Sequence, residues 1–96
     1  MDHKHKGYCI VKRGTGDCER YDERKVYGSV YAACYVVRRR ERECEKAANR
    51  IAKKMSRLVR KKKKIASSVI ARTVASELRK YDVHAAFMYE THRDVS

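Results

Sequence analysis

The sequence predicts an α+β domain: an N-terminal β-hairpin packed on a bundle of four helices. Three observations point there. Two short strand-like stretches flank Gly14-Thr15-Gly16-Asp17, and glycines supply the positive φ that tight hairpin turns demand. Beyond residue 22 the apolar residues recur every three or four positions, the spacing of one helix face. The length of 96 residues leaves room for one domain with a modest core and no second one.

Residues 1–7 are polar, with His3 and His5 two apart, and have nothing to pack against. They are expected to form a flexible N-terminus ahead of a single domain over residues 8–96, without a metal site. Residues 8–13 and 18–21 read as the hairpin. Asp22 stands at an N-cap position with Lys25, not Glu, three residues on, so a helix start is signalled without a full capping box. The first helix is expected over Glu23 to Arg38. Val26, Val30, Cys34 and Val37 give it one apolar stripe, and Tyr27, Tyr31 and Tyr35 a second beside it. Such a tyrosine row either packs or stacks on bases; packing is the commoner outcome. A second helix, Glu41 to Val59, carries Cys44, Ala48, Ile51, Met55 and Leu58 on one face. Cys34 and Cys44 flank the joint near Arg39, so an antiparallel helix pair brings them together, as two small buried thiols or as a disulfide. Cys9 and Cys18 do not stand opposite each other in the expected hairpin register and are not expected to pair.

Arg60-Lys61-Lys62-Lys63-Lys64 is expected to break regular packing and lie in solvent, with a short third strand near Lys64-Ile65. Ser67 or Ser68 then caps a third helix with Ile70, Val74 and Leu78 on its core face. Tyr81-Asp82 ends that helix and caps a fourth, Val83 to about Arg93, with Val83, Ala86 and Phe87 turned inward.

Composition narrows the function. Charged residues make up 39% of the chain and the formal net charge is +13, which implies an anionic partner. No apolar run approaches the ~18–20 residues of a bilayer span, and the N-terminus lacks the apolar centre of a signal peptide. The protein is therefore expected in the cytoplasm with no membrane partner. Its four cysteines include no C-x-x-C pair, the close-set spacing of structural zinc sites. Neither G-K-[ST] nor a suitably spaced third glycine follows Gly14-Thr15-Gly16, which excludes a P-loop and a dinucleotide fingerprint. No nucleophile stands with a paired base, so a binding module is expected and an enzyme is not.

The segment 9–26 concentrates the candidate chemistry. An apolar strand runs into Lys12-Arg13, then a glycine turn, then Glu19, Tyr21, Asp22, Lys25 and Val26 in the spacing E-x-[aromatic]-[DN]-x-x-K-[aliphatic]. With Ser67-Ser68-Val69-Ile70 and the ending from Tyr81-Asp82-Val83 to His92-Arg93, this pattern resembles the ATP-cone family over nearly the whole chain. That family is the regulatory nucleotide-binding module of ribonucleotide reductases and of the repressor of their genes. The resemblance implies ATP or dATP, with Mg2+, bound as an effector between hairpin and helices and not hydrolysed. It further implies control of a ribonucleotide reductase or of transcription, through a homo-oligomer. By resemblance, Lys12, Arg13, Lys25 and Ser67 bind the triphosphate, Glu19 and Asp22 meet the adenine edge, and Tyr21, Val26 and Ile70 wall the ring. Carboxylates suit adenine's exocyclic amine, which donates, although Asp22 offers no donor to adenine N1. On the residues alone, Glu19 and Asp22 instead pair with Arg20, Arg24 or Lys25 on the surface. The chain departs from the family's pattern in its longer glycine turn, in Ala71 where some relatives present a polar side chain, and in Asp94 where a basic residue is usual.

A second reading starts from charge. Between Arg38 and Lys64, fourteen Lys or Arg stand against three Glu. The stretch is either a solvated face or a footprint for a DNA or RNA phosphate backbone, with Arg60, Lys61, Lys62, Lys63 and Lys64 as contacts.

Overall fold

A computed structural model describes residues 9–11 and 18–95, with the backbone alone for residues 11 and 93–95. The order is β1 (Cys9–Val11), β2 (Cys18–Arg20), α1 (Glu23–Arg38), α2 (Glu41–Lys62), β3 (Lys64–Ala66), α3 (Ser67–Tyr81) and α4 (Val83–Val95). The fold is α+β, a small three-stranded sheet packed on four helices. Strand order is β2-β1-β3. In the register, Ile10 stands opposite Glu19 of antiparallel β2 and opposite Ile65 of parallel β3. The expected third strand exists, and the α1–α2 pair is the crossover that parallel pairing requires. The expected flexible N-terminus, residues 1–7, lies outside the described residues.

Because strand side chains alternate between faces, Ile10 and Ile65 turn to the helices together and join Val59 in a small buried cluster. The larger core gathers Val30, Ile51, Met55, Val74, Leu78 and Ala86 from all four helices. On α1, α2 and α3 these are the helical faces legible in the sequence, with Leu58 and Ile70 half-buried at the margin. Tyr27, Tyr31 and Tyr35 stack in succession, ring centroids 6.1 and 6.0 Å apart. Tyr27 and Tyr31 lean on the core, which is the packing alternative.

Local signals set the helix ends. The Asp22 carboxylate accepts the Arg24 backbone N–H at 2.9 Å, starting α1. Arg39, left-handed at φ 56°, stops it. The second helix runs one turn past the expected Val59, to Lys62. Arg60, Lys61 and Lys62 are therefore helical, where the negative end of the helix dipole favours cations, though they remain exposed as expected. Ser67 and Ser68 do not cap α3. β3 holds Ala66 extended at the N-cap position, with no side chain capping, and Ser67 is already helical. Asp82 does cap α4, accepting the His84 and Ala85 N–H groups at 2.8 and 3.2 Å. The inward face of α4 differs from expectation, since Val83 and Phe87 are 61% and 65% exposed while Ala85 and Ala86 are buried. α4 packs on both α1 and α3, and a helix wedged between two others turns its small residues to the close contact.

The cysteines divide into two pairs. Cys9 and Cys18 form a disulfide, with Cα atoms 5.3 Å apart, contrary to the sequence expectation. Arg20, not Cys18, stands opposite Cys9. Cys18 is the diagonal neighbour two residues away on the same face, still within reach across a twisted pair. Cys34 and Cys44 are free and buried, their sulfurs 2.7 Å apart with Cys44 donating.

Candidate functional site

β2 delivers the chain into α1, and this junction holds most of the described site residues. Glu19 shares the sheet face of Ile10 and reaches Lys25, carboxylate to ammonium 3.5 Å, with 43% and 73% of the two side chains exposed. An exposed pair of this kind contributes little stability and leaves the lysine able to change partner. Asp22 is occupied in capping α1, and its carboxylate also meets Arg24 at 3.5 Å. The Arg24 N–H holds the Asp22 carboxyl below its ordinary pKa, with the Arg24 charge adding to the effect. Tyr21, Val26 and Ile70 all pack against the larger core, and Tyr21 and Ile70 also touch the cluster around Ile10.

One network at this junction is not evident from sequence. Ser56, buried on α2, donates to Glu23 at 2.6 Å. Its only proton being spent, it accepts from the Tyr21 hydroxyl at 3.1 Å. Burial raises the Tyr21 pKa, keeping the hydroxyl a donor. This relay fastens the end of β2 and the start of α1 to α2. Its hidden member is a serine on an apolar helical face, which no spacing rule marks.

Ser67 sits elsewhere. Val11 pairs with Ala66, so β3 enters α3 at the Val11 end of the sheet, whereas β2 enters α1 at the Cys9 end. Roughly 7 Å of strand separates these ends. The strand end from which the chain continues to Lys12 therefore lies against the start of α3. Lys12 and Arg13 themselves lie outside the described residues.

Beside Lys25 opens a cavity of about 600 Å3 between α1 and α4. Its floor is small, Gly28 and Ala32 among it, and Arg24, Lys25, Tyr89 and His92 line it. A Cβ on Gly28 would meet nothing within 4 Å, so the floor is open rather than filled. Among the described residues lining it there is no carboxylate. The volume falls within the ~300–1,000 Å3 of small-molecule sites, and Arg24 and Lys25 suit an anion that would draw them from Asp22 and Glu19. Of the sequence-derived site residues, only Lys25 lines this cavity; Arg24, Tyr89 and His92 were not among them. His92 does belong to the chain ending that carries the family resemblance.

Arg60, Lys61, Lys62, Lys63 and Lys64 lie exposed at the end of α2 and the start of β3. They are remote from Lys25 in the chain. Among the described residues no group of three or more His, Cys, Asp or Glu forms a metal site, and no helix is long and apolar enough to cross a membrane. No protein-family model matches the sequence, and no curated protein matches it.

Proposed function

We propose that this domain binds ATP or dATP with Mg2+ as a regulatory effector without hydrolysing it. The observation that carries the reading is the 600 Å3 cavity with Arg24, Lys25 and His92 on its wall and no carboxylate in its described lining. A nucleotide presents the matching chemistry, a polyanion attached to a flat organic body. Tyr89 offers an aromatic surface for the base. Lys12 and Arg13 would add phosphate contacts, and Glu19 the acceptor for adenine's amine; the choice of adenine rests on the family resemblance. Signalling would pass through self-association, for which exposed Val83 and Phe87 on α4 supply apolar surface, toward a ribonucleotide reductase or a gene.

Calorimetric titration with ATP, dATP and GTP, in moderate salt with magnesium, tests the reading. Saturable binding of adenine nucleotides, with GTP much weaker, is expected. Lys25→Ala should lose about 1.5–3 kcal/mol, roughly 10- to 100-fold in affinity, as a charge-assisted phosphate bond requires. Unchanged affinity in both Lys25→Ala and Lys12→Ala would sink the proposal.

A further inference from the structure

α2 is divided lengthwise into two surfaces of opposite character. Cys44, Ala48, Ile51, Met55 and Val59 are buried along one side. On the other, Arg42, Lys46, Arg50, Lys53, Arg57 and Arg60 follow one another at intervals of three or four residues, all exposed. That interval places them on one helix face. From Arg42 to Arg60 the stripe runs roughly 27 Å at 1.5 Å per residue. Its neutralisation is slight. The three carboxylates of α2, Glu41, Glu43 and Glu45, all lie at its N-terminal end, and from Lys46 to Lys64 there are ten cations and no carboxylate. Among the described residues, α2's central cations make one ion pair, Lys54 to Glu77 at 2.8 Å; Glu77 and Glu43 also line a groove with Lys46 and Arg50, so the flank of the stripe toward α3 has carboxylates beside it while Arg42, Lys53, Arg57 and Arg60 make no ion pair.

We propose that this face of α2 is a docking surface for the phosphate backbone of double-stranded DNA. The inference does not depend on the nucleotide reading, because it uses none of the cavity residues. Three features favour a duplex. The stripe is straight and rigid, as a helix in a packed bundle must be, whereas a single strand follows a bent path. Duplex DNA presents about one charge per 1.7 Å, so roughly sixteen phosphate charges accompany a stripe of this length. Single-strand sites also rely on aromatic stacking platforms, and α2 contains no aromatic residue. Lys61 and Lys62 in the last turn of α2 and Lys63 and Lys64 just after it add four exposed cations at this end of the helix.

Fluorescence anisotropy with a labelled random-sequence duplex of about 20 base pairs, titrated from about 50 to 300 mM salt, tests this. The variant Lys46→Gln/Lys53→Gln/Arg57→Gln removes three exposed cations and touches no buried group. Its log–log salt slope should fall by about 2.7, near 0.9 for each phosphate no longer neutralised, with affinity at 100 mM salt down at least about tenfold. The control Arg72→Gln/Arg79→Gln/Lys80→Gln removes the same charge from α3 and should leave the slope within about one of the parent. Circular dichroism checks that both variants keep their helices. Equal losses in the two variants would reduce the attraction to net charge and overturn the proposal. So would the absence of duplex binding at 50 mM salt, or tighter binding of a single-stranded oligonucleotide.

Discussion

Asp82 both caps one helix and ties it to another, and its replacement by alanine tests the two roles together. Its side chain is 8% exposed, it meets Arg38 at 3.0 Å, and it accepts the His84 and Ala85 N–H groups. It thereby caps α4 and ties it to the end of α1. Loss of an N-cap acceptor costs about 1 kcal/mol, up to about 2. Arg38 is 40% exposed, so its pair with Asp82 adds only about 0.5–1 kcal/mol. Asp82→Ala should therefore lower stability by about 1.5–3 kcal/mol near neutral pH, read as a shift in urea midpoint at constant slope. Burial alone would raise the Asp82 pKa, but the Ala85 N–H, the Arg38 guanidinium and the His84 N–H outweigh it, and the carboxyl sits below its ordinary value. A carboxyl lowered on folding stabilises above its unfolded pKa, and that contribution drains away as pH falls through the lower folded value. The gap between parent and Asp82→Ala should accordingly narrow as pH drops below about 4. A double-mutant cycle with Arg38→Gln should return a coupling of about 0.5–1 kcal/mol. A gap that stays constant with pH, together with no coupling to Arg38, would refute the electrostatic part. A substitution effect below about 0.5 kcal/mol would refute the cap.

Two further outcomes concern the cysteines. The Cys9–Cys18 disulfide joins residues 9 apart in sequence, for which the chain-entropy relation gives about 2.5–3 kcal/mol. Cys9→Ser should lose that much in denaturant titration, and a reducing agent should destabilise the parent while leaving the variant unmoved. Burial first, and then the neighbouring Cys44, push the Cys34 thiol up to about 12. Its sulfur is buried and its thiolate scarce at pH 8, so iodoacetamide should alkylate it only as the chain unfolds, as mass spectrometry would show. Labelling of the folded protein at the free-thiol rate would contradict its burial.

What the sequence revealed and what it withheld follow from the range of the interactions concerned. The faces of α1, α2 and α3 were legible because each repeats an apolar residue at helical spacing, and Asp22 and Asp82 because a cap acts within three residues. α4 was not. Val83 and Phe87 are larger and more apolar than Ala85 and Ala86, so hydrophobicity alone points the wrong side inward. Close approach to two neighbouring helices favoured the alanines, and that is a tertiary fact. Ser67 failed as a cap for a related reason, since pairing of β3 with β1 fixes Ala66 as extended before the helix begins. The disulfide was missed because direct opposition was required, although diagonal residues on one sheet face also meet. In the candidate site, Glu19 and Lys25 were named through the family resemblance, while on the residues alone Glu19 was read as a surface partner of a nearby cation, which is the pair it makes with Lys25. The cavity wall contributed by Tyr89 and His92 depends on how α4 lies along α1, and no local pattern carries that.

The arrangement of charge on α2 bears on why such a face should exist. Like charges three or four residues apart on a helix destabilise it by about 0.2–0.5 kcal/mol each, and the stripe from Arg42 to Arg60 contains five successive pairs of this kind. The free protein thus carries repulsion of roughly 1–2.5 kcal/mol along one helix, with no carboxylate after Glu45 on α2 to relieve it. Several other cations are paired: Arg38 has Asp82, Lys54 and Lys80 share Glu77, and Arg79 has Glu90. α2 tolerates the repulsion because its opposite face is anchored through Ile51, Met55 and Val59, and because its basic final turn suits the dipole. Phosphate laid along the stripe would remove the repulsion as well as supply attraction. A partner that carries closely and regularly spaced anions therefore gains from this face twice, whereas scattered counterions screen it only in part.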